Sequence, residues 1–241
     1  MIAAIRSEWG KTWSVRAPAV WLTIAAVAGM VTAFSLANDA LLGITSGEPG
    51  APAAIDPIDA ITPGVQVAQI AVAAFAIHLV TPEWASESMR VTVAASPRRW
   101  RVLVAKAFVA VVTASVVGAL VGAGMHVALR VLLDGHIGAD STPAATGLAT
   151  ASMAVVAASL GVALGFIGRS AVAALCIAAV LLVGSLTMPR SVGQFMPGPA
   201  GADVMEQMSA GTVPIAGLLA LAAWSTVPLL AATEVLRRRD I

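Results

Sequence analysis

Predominantly apolar stretches about long enough to cross a bilayer occur six times in this chain. A helix needs about 20 apolar residues to cross a hydrocarbon core about 30 Å thick. The runs cover residues 20–37, 65–80, 102–129, 145–167, 171–188 and 213–232, the second entered through Pro63-Gly64. This pattern predicts an all-α membrane protein with six transmembrane helices in a domain over residues 19–241. The loops between runs collect glycine and proline, as in Gly47-Glu48-Pro49-Gly50 and Met196-Pro197-Gly198-Pro199. The connection at 189–212 is long for a simple loop, and residues 202–208 within it suit a short surface helix.

Two polar segments interrupt the pattern with helical features of their own. In the leader, residues 1–18, Ile2, Ile5, Trp9 and Trp13 recur at spacings of three and four. They form one apolar stripe on a helix, with Arg6, Glu8, Lys11 and Arg16 mostly off it. Such a helix lies in the membrane–water interface, or anchors the chain and fixes its topology. The second segment, residues 82–101, joins the second and third runs. Thr81-Pro82-Glu83 suits a helix start, because proline in a first turn sacrifices no bond and a carboxylate there favours the dipole. Ser96-Pro97 ends that helix, and Arg98-Arg99-Trp100-Arg101 leads back into the membrane.

Composition agrees with the hydropathy pattern. The chain is 59% hydrophobic and 11% charged, with a mean hydropathy of +0.89; soluble domains average about 25% charged residues. A net charge of +1 gives no field to recruit nucleic acid. The placement of charge is more informative. With the N-terminus inside, Arg6, Lys11, Arg16, Arg90, Arg98, Arg99, Arg101, Lys106, Arg169, Arg237, Arg238 and Arg239 are cytoplasmic, which is twelve of the fourteen basic residues. Only Arg130 and Arg190 fall outside. Both termini are therefore expected in the cytoplasm, with extracellular loops at 38–62, 130–144 and 189–212. A cleaved signal ending at Ser35-Leu36-Ala37 is disfavoured, since the stretch before it is span-length and its basic leader long and patterned.

Chemistry-bearing motifs are sparse. Gly10-Lys11-Thr12 resembles the tail of a phosphate-binding loop, but Ile5 stands where that motif needs its first glycine. Any ATP and magnesium must be held by another polypeptide. His78, His126 and His136 lack metalloprotease spacing, the single Cys176 offers no disulfide, and no nucleophile elbow is present, so neither a catalytic site nor a metal site is expected. Gln66 and Gln69, one turn apart in an apolar run, either line a translocation path or tie helices together. Trp224 and Pro228 mark a kinked aromatic surface, with Trp224 a candidate for the translocation path, or plain packing. Gly118-x-x-x-Gly122 and Gly161-x-x-x-Gly165 permit close helix approach without identifying a dimer face.

The leader Ser7-Glu8-Trp9-Gly10-Lys11-Thr12-Trp13-Ser14-Val15-Arg16 resembles that of permease subunits of bacterial type-2 ABC exporters. The resemblance is stronger in Pro63-Gly64-Val65-Gln66, Thr81-Pro82-Glu83-Trp84, Arg90, and Ala94-Ala95-Ser96-Pro97-Arg98-Arg99-Trp100-Arg101 with Lys106 following. Glu87 departs from it, standing where the family usually has a glycine. The resemblance implies a plasma-membrane permease that pairs with a second copy and docks on separate ATP-binding cassette subunits. The leader, with Trp9, Lys11, Trp13 and Arg16, would be a connecting helix. Residues 83–95 would be a coupling helix, with Glu83, Trp84, Glu87, Arg90, Arg98 and Arg99 in the coupling segment. The expected function is ATP-driven export by alternating access of a hydrophobic or amphiphilic cargo: drug, peptide, lipid or glycoconjugate. A second class is an ATPase-independent immunity or stress protein that binds a hydrophobic toxin or lipid. It explains the spans but gives the patterned loop no task.

Overall fold

The structure is a computed structural model describing residues 1–86, 100–133, 135–138 and 141–238. Among these, all regular elements are helices, and the one β feature is an isolated bridge between Ile55 and Ile137. In order they are α1 (Ile2–Ser14), α2 (Ala17–Ser46), α3 (Pro57–His78), α4 (Thr81–Ala85), α5 (Trp100–Leu132), α6 (Pro143–Gly168), α7 (Ala171–Leu182), a 3-10 turn (Gly184–Thr187), α8 (Arg190–Gly193), α9 (Pro197–Ser209) and α10 (Ile215–Arg238).

Five helices are long and apolar enough to cross a membrane, counting α3 and α4 together as Pro57–Ala85. The chain thus has the character of a multi-pass membrane protein. The fifth apolar run does not reach that length as one helix, because α7 stops at Leu182 and only a 3-10 turn continues it. The helices also extend beyond the apolar runs. α2 continues to Ser46, where Gly47 at φ 69° lets its own N–H and that of Glu48 bond back to Ile44 and Gly43. α3 begins at Pro57, because Asp56 accepts the N–H of Ile58 and Pro57 takes the first turn. Pro63 therefore sits inside α3, not at its entrance.

α3 and α6 form the centre, and α2 and α10 lie at the periphery. The outward residues are apolar: Leu120 is 69% exposed, Val131 76% and Leu230 68%. In water such a surface would drive aggregation, whereas lipid accepts it. Inside, small residues let backbones touch. A Cβ on Gly64 would stand 2.5 Å from the Gly29 carbonyl of α2, and one on Gly161 would stand 2.6 Å from the Ala73 carbonyl of α3. Gly118 and Gly122 seat α5 on Thr150 and Ala154 of α6. Both glycine motifs are thus used in contacts within the chain.

The connection from α7 to α10 folds back along the bundle. Gly201 of α9 abuts Met153, ten residues or about 15 Å from the start of α6. Phe195, just before α9, accepts a 2.7 Å hydrogen bond from the Trp224 indole, nine residues or about 14 Å into α10. A helix from Pro197 to Ser209 replaces the short surface helix expected at 202–208. It contains the expected stretch and buries Ala200, Val204 and Met205 against the bundle.

Candidate functional site

The sequence concentrates titratable groups at one end of the bundle, where α1, the α3–α4 corner and the start of α5 converge. α3 stops at His78 because Pro82 has no N–H to continue its ladder. The chain turns at Leu79 and Val80, and α4 starts at Thr81, whose hydroxyl bonds the Ile77 carbonyl. This corner aims Glu83 and the Leu79 carbonyl at α5. On α1, Glu8 and Thr12 lie one turn apart and face the bundle, both buried. Trp9 and Trp13 lie on the outward side, 43% and 45% exposed, with ring centroids 6.1 Å apart.

Lys106 of α5 is the hub. Its side chain is 3% exposed, and its Nζ donates to Glu8 Oε2 at 2.7 Å, Glu83 Oε1 at 2.9 Å and the Leu79 carbonyl at 2.9 Å. An ammonium has three N–H groups, so all are used. Lys11 closes the cluster from the half-exposed side, at 2.8 Å from Glu8 Oε1 and 3.2 Å from Glu83 Oε1. Two carboxylates and two ammonium groups cancel, which lets the cluster be buried. Burial would raise the Glu8 carboxyl, but the charge and hydrogen bond of Lys106, helped by Lys11, hold it below its ordinary 4.5. Burial would likewise lower Lys11, yet Glu8 and Glu83 hold it above its ordinary 10.5.

A second contact ties the corner to the other central helix. The Arg169 guanidinium lies 4.1 Å from the centroid of the Trp84 ring. Arg169 ends α6 in the left-handed conformation, at φ 54°. The Lys106 cluster and the Trp84–Arg169 stack together join α1, α4, α5 and the α6–α7 turn.

Of the residues singled out in the sequence, Lys11, Glu83 and Trp84 belong to this assembly. Glu83 and Trp84 point into it, toward Lys106 and Arg169. Arg16 is exposed just before α2. Glu87, Arg90, Arg98 and Arg99 lie outside the described residues, as does most of the expected coupling helix at 83–95. Gln66 and Gln69 are 8% and 3% exposed on α3, and Gln69 lines a small apolar cavity among α2, α3, α5 and α6. Trp224 is engaged with Phe195. Among the described residues, no group of three or more His, Cys, Asp or Glu is placed to hold a metal.

Sequence reasoning missed Glu8 and Arg169 as site residues, and it noted Lys106 only as part of the resemblance. An acid inside an otherwise basic leader was the available signal for Glu8. Arg169 gave none, since it is one basic residue in a short turn. A Lys106 partner on α1, ninety-eight positions away, is not readable from spacing. No family model matches the chain, and no curated protein matches it.

Proposed function

We propose that this chain is the membrane subunit of an ATP-driven exporter of the type-2 ABC kind. In this reading it crosses the plasma membrane six times, with α7 and its 3-10 extension as the short fifth span and both termini in the cytoplasm. It works as one half of a homodimer on separate ATP-binding subunits, and its cargo is hydrophobic or amphiphilic. The observation that carries the reading is the Lys106 cluster, which binds α1 and the α3–α4 corner to α5 through buried charge. A lever must be rigid where it enters the bundle, and this cluster makes its root rigid. The segment 87–99 leaves from that root and returns at Trp100. Glu83 and Trp84 then hold the lever, while Glu87, Arg90, Arg98 and Arg99 meet the ATPase. With no phosphate-binding loop of its own, the chain takes its energy from that partner.

The test is co-purification. Tagged protein from native membranes should carry a stoichiometric ATP-binding cassette protein and vanadate-sensitive ATPase activity. Paired charge reversals, E87K with R90E or R98E with R99E, should cut the bound ATPase about tenfold while the permease stays folded. The proposal fails if no ATPase accompanies the protein, or if both reversals leave association and transport intact. Full activity in cells without any partner ATPase would support the toxin- or lipid-binding class instead.

A further inference from the structure

A cleft of about 290 Å³ opens beside the ion-pair cluster, between α1 with the start of α2 and the ends of α3 and α5. Its floor is ionic, and its walls include Val15, Pro18, Leu79 and Val109. The floor groups close a ring: Lys11 pairs with Glu8, Glu8 with Lys106, Lys106 with Glu83, and Glu83 with Lys11. Two positive and two negative charges make the ring neutral, so a lone anion meets as much repulsion as attraction there, and so does a lone cation. Donor and acceptor capacity survive side by side within it. Among the described residues, Lys11 uses two of its three N–H groups, on Glu8 and Glu83, and its side chain is 45% exposed. Glu8 accepts one hydrogen bond on each oxygen, from Lys11 and from Lys106, which leaves about two of its four lone-pair sites. These two groups stand 2.8 Å apart. Thr12 and Ser14 also line the cleft, and their hydroxyls donate to backbone carbonyls, so their oxygens keep lone pairs for a further donor. A ligand that satisfies one N–H and several acceptors at the same place is a zwitterion, its anionic end on Lys11 and its ammonium along Glu8.

The level of the cleft narrows the choice. It lies at the ends of helices long and apolar enough to span a membrane. Trp9 and Trp13 stand exposed on the helix that forms one side, and Trp100 is 43% exposed at the start of α5. Exposed indoles at the ends of spans mark the headgroup layer. A zwitterion of that layer carries acyl chains, and the apolar walls beside the ring give those chains a surface.

We propose that this cleft binds one zwitterionic phospholipid with a primary-ammonium headgroup, of the phosphatidylethanolamine kind. Its phosphate takes the remaining Lys11 N–H, its ammonium donates to Glu8, and its glycerol and upper acyl chain lie against Val15, Pro18 and Leu79. A primary ammonium donates hydrogen bonds to a carboxylate, whereas a trimethylated one has no N–H to give. The site stands apart from any exporter role and does not depend on it.

Native mass spectrometry of the delipidated full chain in detergent tests this, with phosphatidylethanolamine, phosphatidylcholine and phosphatidylglycerol of the same acyl chains as separate arms. Phosphatidylethanolamine should bind saturably with one tight equivalent. Phosphatidylcholine, which keeps both charges without the N–H groups, and phosphatidylglycerol, which lacks the cation, should each bind about tenfold more weakly, the scale of one hydrogen bond to a charged group. Millimolar glycerophosphoethanolamine, the same headgroup without acyl chains, should fail to displace the lipid. Lys11→Gln should weaken the tight equivalent by about tenfold, and Arg237→Gln, a substitution of an exposed arginine outside the cleft, should change nothing. The three lipids are compared on the unaltered chain, so that comparison decides even if Lys11→Gln does not fold. Equal binding of phosphatidylcholine or phosphatidylglycerol, displacement by glycerophosphoethanolamine, or undiminished binding to a folded Lys11→Gln variant would each overturn the proposal.

Discussion

At the residue scale, Lys106 carries a full charge at a position 3% exposed, so its neighbours decide whether it stabilises or destroys the fold. Removing one partner of a buried pair costs about 3–5 kcal/mol, mostly because the other charge is left unpaired. Lys106→Met should therefore destabilise the protein by about that much, read by unfolding in detergent. Adding Glu8→Gln removes one of the stranded carboxylates and leaves Lys11 paired with Glu83, so the double variant should regain most of the loss. If it is no more stable than Lys106→Met, the pair is not the source of the effect.

The same cluster sets a pH window for docking of α1. Glu8 titrates below its ordinary 4.5, so its contribution is fully present above 4.5 and is lost as pH falls through the lowered value. Lys11 titrates above its ordinary 10.5, so its contribution is fully present below 10.5 and is lost as pH rises through the raised value. Tryptophan emission and protease access to the leader should stay flat between pH 5 and 10 on this basis. Both should change only outside that range. A transition near pH 7 would mean that other groups hold α1 in place.

At the element scale, Gly161 of α6 determines how closely the central pair packs. The Cβ of Gly161→Ala would stand 2.6 Å from the Ala73 carbonyl and 2.7 Å from the Ala76 Cβ, so α3 must move. Overpacking of this kind costs about 1–3 kcal/mol. Gly124→Ala, where a Cβ meets nothing within 4 Å, should be neutral or slightly stabilising. Thermal unfolding of the two variants in one detergent compares them directly, and equal midpoints would contradict the packing described. Helix α9 is the other decision at this scale. It seats Gly201 on Met153 of α6.

For the whole molecule, the proposed orientation rests on the sequence alone, where twelve of fourteen basic residues fall on one side of the six-span reading. In a Cys176→Ser background, a cysteine at Glu48 should react with an impermeant maleimide in intact cells. One at Ser14 should react only after lysis. Both residues are exposed, so a failure to label is not a burial effect. Labelling in the opposite sense would invert the topology and place the segment 87–99 outside, away from any ATPase.

The membrane character, the helical fold and the rough position of five long apolar helices were legible in the amino-acid pattern, because lipid imposes a length and an apolar requirement that acts on contiguous residues. The tryptophan stripe of the leader was legible for the same local reason. Glu83 could be recognised as special from Thr81-Pro82-Glu83, but its partners could not. What joins Glu8, Lys11, Glu83 and Lys106 is the meeting of three helices, and a hydrogen bond across ninety-eight positions leaves no periodic trace. The same holds for Arg169 on Trp84, and for a loop that folds back along the bundle to reach Trp224. Solvent acts on each segment separately and can be read along the chain. Charge neutralisation and close packing depend on which segments meet, and only the tertiary structure decided that.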